Sequence, residues 1–306
     1  MLRRHLIAAL ALTSSLLALP APAGQDKPTP TAKEILAKST PAEWRTPDPQ
    51  NPLLMQLPTG RVVIELAPDF TPRHAANIRT LARGHYFDGL AIIRVQDNFV
   101  TQWGDPNDDE NGDKSRIRSL GKASKTLPPE FTRAIDPKLP WTALPDGDVY
   151  APEVGFSEGF PVARDPAAGQ EWLAHCYGMV GVGRDNDADS GGGTSLYAVI
   201  GPARHLDRNI TVVGRVISGM PQLAALPRGP VPMGFYDKPE MNLPITSVKV
   251  AADVPASQRS RFEVMRTDSA TYQAVLDAQR NRGGPWTKVP AGHLDLCAAP
   301  IPVREK

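Results

Sequence analysis

The chemistry in this sequence concentrates in one arginine, one phenylalanine and one glutamine. Arg94 interrupts an otherwise apolar run from Leu90 to Val95, Phe99 follows five residues later, and Gln102 three after that. A charged side chain in an aliphatic strand is costly to bury, so it must face water or a use. A guanidinium is a permanently charged fork of N–H donors. Beside an aromatic ring and an amide, it suits hydrogen-bond donation to an acceptor held against an apolar wall.

Other motifs do not compete. Gly181-Val182-Gly183 lacks the third glycine of a dinucleotide fingerprint, and Gly191-Gly192-Gly193-Thr194 lacks the lysine of a phosphate loop. Asn107-x-Asp109-x-Asn111-Gly112 imitates a calcium loop, but Asn107 replaces the first Asp and Arg118 stands where the bidentate Glu belongs. Asp185-x-Asp187-x-Asp189 fails in the same way, with Ser190 for Gly and Leu196 for Glu. His175 beside Cys176 has no second His–Cys cluster to make a metal or thiol site. Lys122–Lys125 is too short a basic run for nucleic acid.

The elements that must position Arg94, Phe99 and Gln102 follow from local pattern. Phe87-Asp88-Gly89 reads as a loop, Gln96-Asp97-Asn98 as a polar turn, and Phe99 to Trp103 as a returning strand. Upstream, order begins at Thr59-Gly60; Arg61–Leu66 (RVVIEL) reads as a strand. Thr71-Pro72 opens a helix with Thr71 as N-cap, one face marked by Ala75, Ile78, Leu81 and Ala82, and Gly84 as its stop. Downstream come strands at Tyr177–Gly183, Thr194–Ile200, Thr211–Val216 and Ile245–Val250, and a helix over Ser218–Leu226. Strands parted by turns with only two helices argue for an antiparallel barrel, which removes exposed edges by closure. Residues 136–171, rich in Pro, Gly and acidic side chains, read as a long loop region. Residues 24–58 read as a Pro-rich arm with a short helix at Thr31–Ser39, and 253–306 as an extension with a helix over Ser269–Arg282.

Composition bounds the setting. The chain has 306 residues with 34 basic against 33 acidic, which gives no overall electrostatic reason to bind nucleic acid or an anionic membrane. Residues 1–23 have the make-up of a secretory signal: Arg3-Arg4, an apolar run from Leu6 to Leu19, and Ala21-Pro22-Ala23 as a cleavage site. The expected product is secreted, most simply to the periplasm, with no membrane anchor after cleavage. In an oxidising compartment the two cysteines, Cys176 and Cys297, suggest one disulfide tying the tail to the body; two buried thiols are the alternative.

The stretch Tyr86–Asp105, YFDGLAIIRVQDNFVTQWGD, resembles the cyclophilin signature Y-[YF]-D-G-x-x-[FI]-H-R-V-x-x-x-F-x-x-Q-x-G-D, matching at Phe87, Asp88, Gly89, Arg94, Val95, Phe99, Gln102, Gly104 and Asp105. YGMVGVG, TSLYAVI, the His205–Asn209 turn and TVVGRV resemble later family segments, so the likeness spans roughly residues 60–252. It implies a closed antiparallel eight-stranded barrel capped by two helices, over about 59–252, in which residues 136–171 are an insertion bordering the substrate groove. It implies a peptidyl-prolyl cis-trans isomerase acting on proline-containing unfolded or exported polypeptides, without cofactor and as a monomer. A non-catalytic peptide-binding or chaperone module using the same groove is the alternative. By resemblance Arg94, Phe99 and Gln102 are catalytic. Val100, Gly181, Val182, Ser195, Tyr197, His205 and Leu206 bind the peptide, with Gly181 and Val182 supplying main-chain contacts. The departures are Ile93 for His, Ser195 for Gln, His205 for an aromatic and Ile210 for His, which leave the rim less aromatic and less polar.

Overall fold

Alternation in RVVIEL sends Val62, Ile64 and Leu66 into one core and Val63 to the opposite face, and the segment folds as the strand Gly60–Leu66. A computed structural model describes residues 30–108, 112–283 and 286–306; residues 1–23, expected to be a secretory signal, lie outside them. Gly60–Leu66 belongs to a nine-stranded antiparallel sheet that curls around the main core. Its spatial order is Leu243–Pro244, Ala91–Gln96, Val100–Gly104, Leu196–Val199, Met179–Val182, Val212–Ser218, Gly60–Leu66, Pro52–Leu57 and Ser247–Val250.

The expected closed eight-stranded barrel is corrected here. The sheet has nine strands, and its two end strands are not hydrogen-bonded to each other. They are successive stretches of one segment that bends at Ile245-Thr246, so that Leu243 pairs with Ile92 while Ser247 pairs with Gln56. The sheet also begins earlier than Thr59, because Pro52–Leu57 already pairs with Gly60–Leu66.

The helix Pro72–Arg83 buries Ala75, Ile78, Leu81 and Ala82 against the core. Thr71 stands at its N-cap position but does not cap it with its side chain. The carboxylate of Glu130 does so instead, accepting the N–H of Arg73 at 3.2 Å and of His74 at 3.0 Å. The second helix is shorter than expected, Met220–Ala224, with Leu223 buried.

The inserted region is not a loop. Arg133–Ala134, Gln170–Leu173, Phe160–Asp165, Glu153–Ser157 and Thr142–Ala143 form, in that order, a five-stranded antiparallel sheet. Val154, Phe156, Phe160, Val162 and Trp172 are buried beneath it in a second core. Its central hairpin turns at Glu158-Gly159, both with positive φ (51° and 78°), the twist that two-residue hairpins favour.

The terminal segments pack on this layer. Trp44–Arg45, Phe262–Met265 and Val303–Glu305 make a three-stranded sheet. The helix Ala270–Arg280, N-capped by Ser269, is tied to the insertion by Arg280 and Asp146 (2.7 and 2.5 Å). Cys176 and Cys297 form a disulfide across 121 residues of sequence. Among the described residues, no helix is long and apolar enough to cross a membrane. Because this cross-link closes a long loop of the unfolded chain, replacing both cysteines by serine should lower unfolding stability by about 2–4 kcal/mol. Urea titration of the two proteins checks this, and coincident unfolding curves would contradict it.

Candidate functional site

Pairing of the arginine strand with its neighbour slips by one residue. Ile92 faces Trp103, Arg94 faces Gln102, and Ile93 is the extra residue between them. A bulge of this kind re-aims the side chain beside it. The guanidinium of Arg94 is held by three neutral oxygens. Its Nε donates to the Met233 carbonyl at 2.6 Å, Nη1 to Gln102 Oε1 at 2.9 Å, and Nη2 to Gln96 Oε1. Gln102 is oriented in turn, its Nε2 donating to Ser195 Oγ at 2.9 Å. The rings of Phe99 and Phe235 lie 5.7 and 5.0 Å from Arg94 Cζ, close enough for cation–π attraction. Burial pulls the Arg94 pKa below its ordinary value, opposed by Tyr197; a guanidinium nevertheless stays charged. Those bonds occupy only part of its set of five N–H donors.

Arg94 opens onto a cleft of about 370 Å³. Of the residues singled out by sequence, Arg94, Phe99, Val100, Gln102, Ser195, Tyr197 and Leu206 all line it. Ile210 joins Phe99, Val100, Tyr197 and Leu206 on its apolar side. His205 is not part of the lining; it stacks on Phe99 from outside, ring centroids 5.6 Å apart.

Gly181 and Val182 do not reach the cleft. Val182 is 2% exposed and belongs to the main core. Gly181 lies behind Tyr197, where a Cβ would fall 2.2 Å from the tyrosine hydroxyl oxygen. The main chain of that strand meets the cleft one residue later, at Gly183.

Met233, Phe235 and Gln96 escaped the sequence reading. Gln96 ends the arginine strand itself, two residues past Arg94, whereas Met233 and Phe235 reach Arg94 because a Pro-broken segment zips onto the edge of that strand. Gly229 N–H donates to Val95 O, Val95 N–H to Gly234 O, and Tyr236 N–H to Ile93 O, each at 2.9 Å. Gly234 has φ 75°, and a Cβ there would sit 2.6 Å from Gln96 Cα, so the approach requires glycine. The pair Gly229…Gly234 was the one available signal, and it carries no chemistry by itself.

Behind the cleft lies a buried polar cluster. Tyr197 and His175 share a hydrogen bond of 3.0 Å, and His175 Nδ1 meets Asp207 Oδ1 at 2.9 Å. Burial raises the Asp207 carboxyl, but the His175 hydrogen bond and the Arg204 charge outweigh it, leaving the pKa below the ordinary 3.8. A lowered folded-state pKa gives stability that is complete above the unfolded value and is lost as pH falls through the folded one. Stability should therefore decline on acidification below about pH 4, and Asp207→Asn should flatten that decline. Denaturant melts between neutral pH and about pH 3 test it; parallel pH profiles for the two proteins would contradict it.

Three comparisons bear on this geometry. A family model described as "Cyclophilin type peptidyl-prolyl cis-trans isomerase/CLD" matches residues 53–250. A "Probable peptidyl-prolyl cis-trans isomerase" of Brucella suis is 27% identical over 185 residues, covering 60% of this chain and 74% of that protein. A "Peptidyl-prolyl cis-trans isomerase-like 1" of Gibberella zeae is 23% identical, covering 66% of this chain and 95% of that protein. Among solved structures, cyclophilin AquaCyp293 from Hirschia baltica superposes with a TM-score of 0.67 at 26% identity, covering 90% of this chain and 97% of that one.

Proposed function

This chain belongs to the cyclophilin-type peptidyl-prolyl cis-trans isomerase family, and we propose that Arg94 is the residue through which it accelerates isomerisation. The chain is a peptidyl-prolyl isomerase. The X–Pro bond resists rotation by about 18–20 kcal/mol because the amide nitrogen donates its lone pair to the carbonyl. At the twisted midpoint that lone pair is localised and accepts a hydrogen bond. A donor that binds it there, and not in the planar forms, lowers the barrier selectively.

One observation carries the assignment. Arg94 is 9% exposed and, among the described residues, pairs with no carboxylate; its partners are the neutral oxygens of Met233, Gln102 and Gln96. Its charge is thus left uncancelled beside the apolar wall of Phe99, Val100, Tyr197 and Leu206. A proline ring against that wall brings its nitrogen toward the guanidinium. Gln102, steadied by Ser195, fixes the plane of the fork. His205 stacks on Phe99 from outside the cleft. The peptide main chain on either side of proline runs along Gly183.

The basic, apolar and Ala-x-Ala character of residues 1–23 supports an enzyme exported to the periplasm and acting there on unfolded or newly exported chains. Expression in a Gram-negative host followed by mass determination should yield a periplasmic product starting at Gly24; a full-length product in the cytoplasm would overturn the export assignment.

Removing a donor used in the transition state costs about 100-fold or more. Arg94→Ala should lower kcat/KM for a proline tetrapeptide by about that factor in a protease-coupled assay, with peptide affinity by calorimetry changed only a few-fold. Equal rates for the two proteins would remove Arg94 from the mechanism.

A further inference from the structure

The side of the cleft away from Arg94 is built on a continuous hydrogen-bonded chain that ends in the inserted sheet region. Tyr197 gives its ring to the cleft while its hydroxyl points away, through the space left by the missing side chain of Gly181, to His175 Nε2 at 3.0 Å. The two rings lie nearly parallel, 13° apart. His175 is gripped twice by Asp207 Oδ1, through its backbone N–H and through Nδ1, each at 2.9 Å. The other carboxylate oxygen of Asp207 accepts Arg204 Nε at 2.6 Å and Trp172 Nε1 at 3.3 Å. The remaining arms of Arg204 form a two-pronged pair with Asp148 of the insertion, both bonds 2.9 Å, under the ring of Tyr150.

Arg204 and Asp207 also bracket His205 and Leu206, the first stacked on Phe99 and the second lining the cleft. One chain of contacts therefore holds both the wall ring of Tyr197 and the rim residue Leu206. Every side chain in it from Tyr197 to Asp148 is 7% exposed or less. In so closed a site an unmatched hydroxyl or imidazole cannot turn to water, so the bonds fix the ring's depth and tilt.

We propose that His175, Asp207, Arg204 and Asp148 are positioning residues for the isomerase reaction, setting the width of the proline pocket through Tyr197 and Leu206, with the inserted region as their anchor. This rests on the assignment of the cleft as the isomerisation site and adds a task for the insertion. None of the four touches the peptide. They act by holding the wall against which the proline ring packs, in the planar and the twisted forms alike, so they govern substrate affinity rather than the chemical step.

The test is steady-state kinetics on His175→Leu, made in the wild-type protein and again in a Tyr197→Phe background. Coupled neighbours show interaction energies equivalent to about a two- to 150-fold change, and a single neutral hydrogen bond lies toward the low end. His175→Leu should therefore raise KM about fivefold with kcat within about twofold, and should add less than about twofold once Tyr197 has lost its hydroxyl. Asp148→Ala should raise KM about threefold, and Asp148→Glu, which restores a carboxylate to Arg204, should recover most of it. An equal factor for His175→Leu in both backgrounds overturns the proposal, as does a wild-type KM for Asp148→Ala. If circular dichroism shows His175→Leu unfolded, the Asp148 pair decides alone. Arg94→Ala, run alongside, separates the levels: a loss of kcat there with no coupling at position 175 sinks only the positioning role, whereas wild-type rates for Arg94→Ala sink the site itself.

Discussion

A buried guanidinium with no counter-charge among the described residues is the constraint on which this structure turns. Moving Arg94 out of water is costly, and a carboxylate partner would be the ordinary remedy. That remedy would also hold the N–H groups and cancel the field on which donation to a weakly basic nitrogen depends. The protein satisfies the fork with neutral oxygens instead: one main-chain carbonyl and two amide oxygens. Two aromatic faces add attraction without neutralising it. The charge stays poised, at a cost the surrounding fold must offset.

Much of the fold serves that end. The slip at Ile93 turns Arg94 toward the cleft, and the 229–236 segment covers the strand's edge while delivering the Met233 carbonyl. Val100 and Tyr197 in the wall belong to the second core, which the inserted sheet and the terminal segments complete. The disulfide between Cys176, next to His175, and Cys297 fastens those terminal segments to the same region. The outer layer thus forms the rear of the pocket as well as a covering for the sheet.

The sequence disclosed the centre of the site and concealed its surroundings. Arg94 and Gln102 were legible because they stand opposite each other on two adjacent strands, where spacing fixes which side chains share a face, and Phe99 lies in the short turn that joins those strands. Met233 and Phe235 arrive from more than a hundred residues away, with only Gly229 and Gly234 to announce the close approach. The inserted sheet was hidden by composition: proline, glycine and acidic residues suggested loops, although EVGFS and FPVARD carry apolar side chains that need a core. Gly181 reads in sequence as a peptide contact and is in the fold a gap for a tyrosine hydroxyl, a distinction visible only once Tyr197 is placed beside it. Sheet closure depended on one bend in 243–250, which no periodicity reveals.

The central claim is that a forked donor, and not merely a positive charge, lowers the barrier. Its most direct test is the on-enzyme cis–trans exchange rate of a bound proline peptide, measured by NMR at saturating enzyme for the wild type and for Arg94→Lys. Lysine keeps the charge but cannot bond Met233 and Gln102 while presenting a further N–H in the same plane. The account predicts that Arg94→Lys loses most of the acceleration, by about tenfold or more, while the peptide remains bound. An exchange rate equal to the wild type's would show that charge alone suffices and would contradict it.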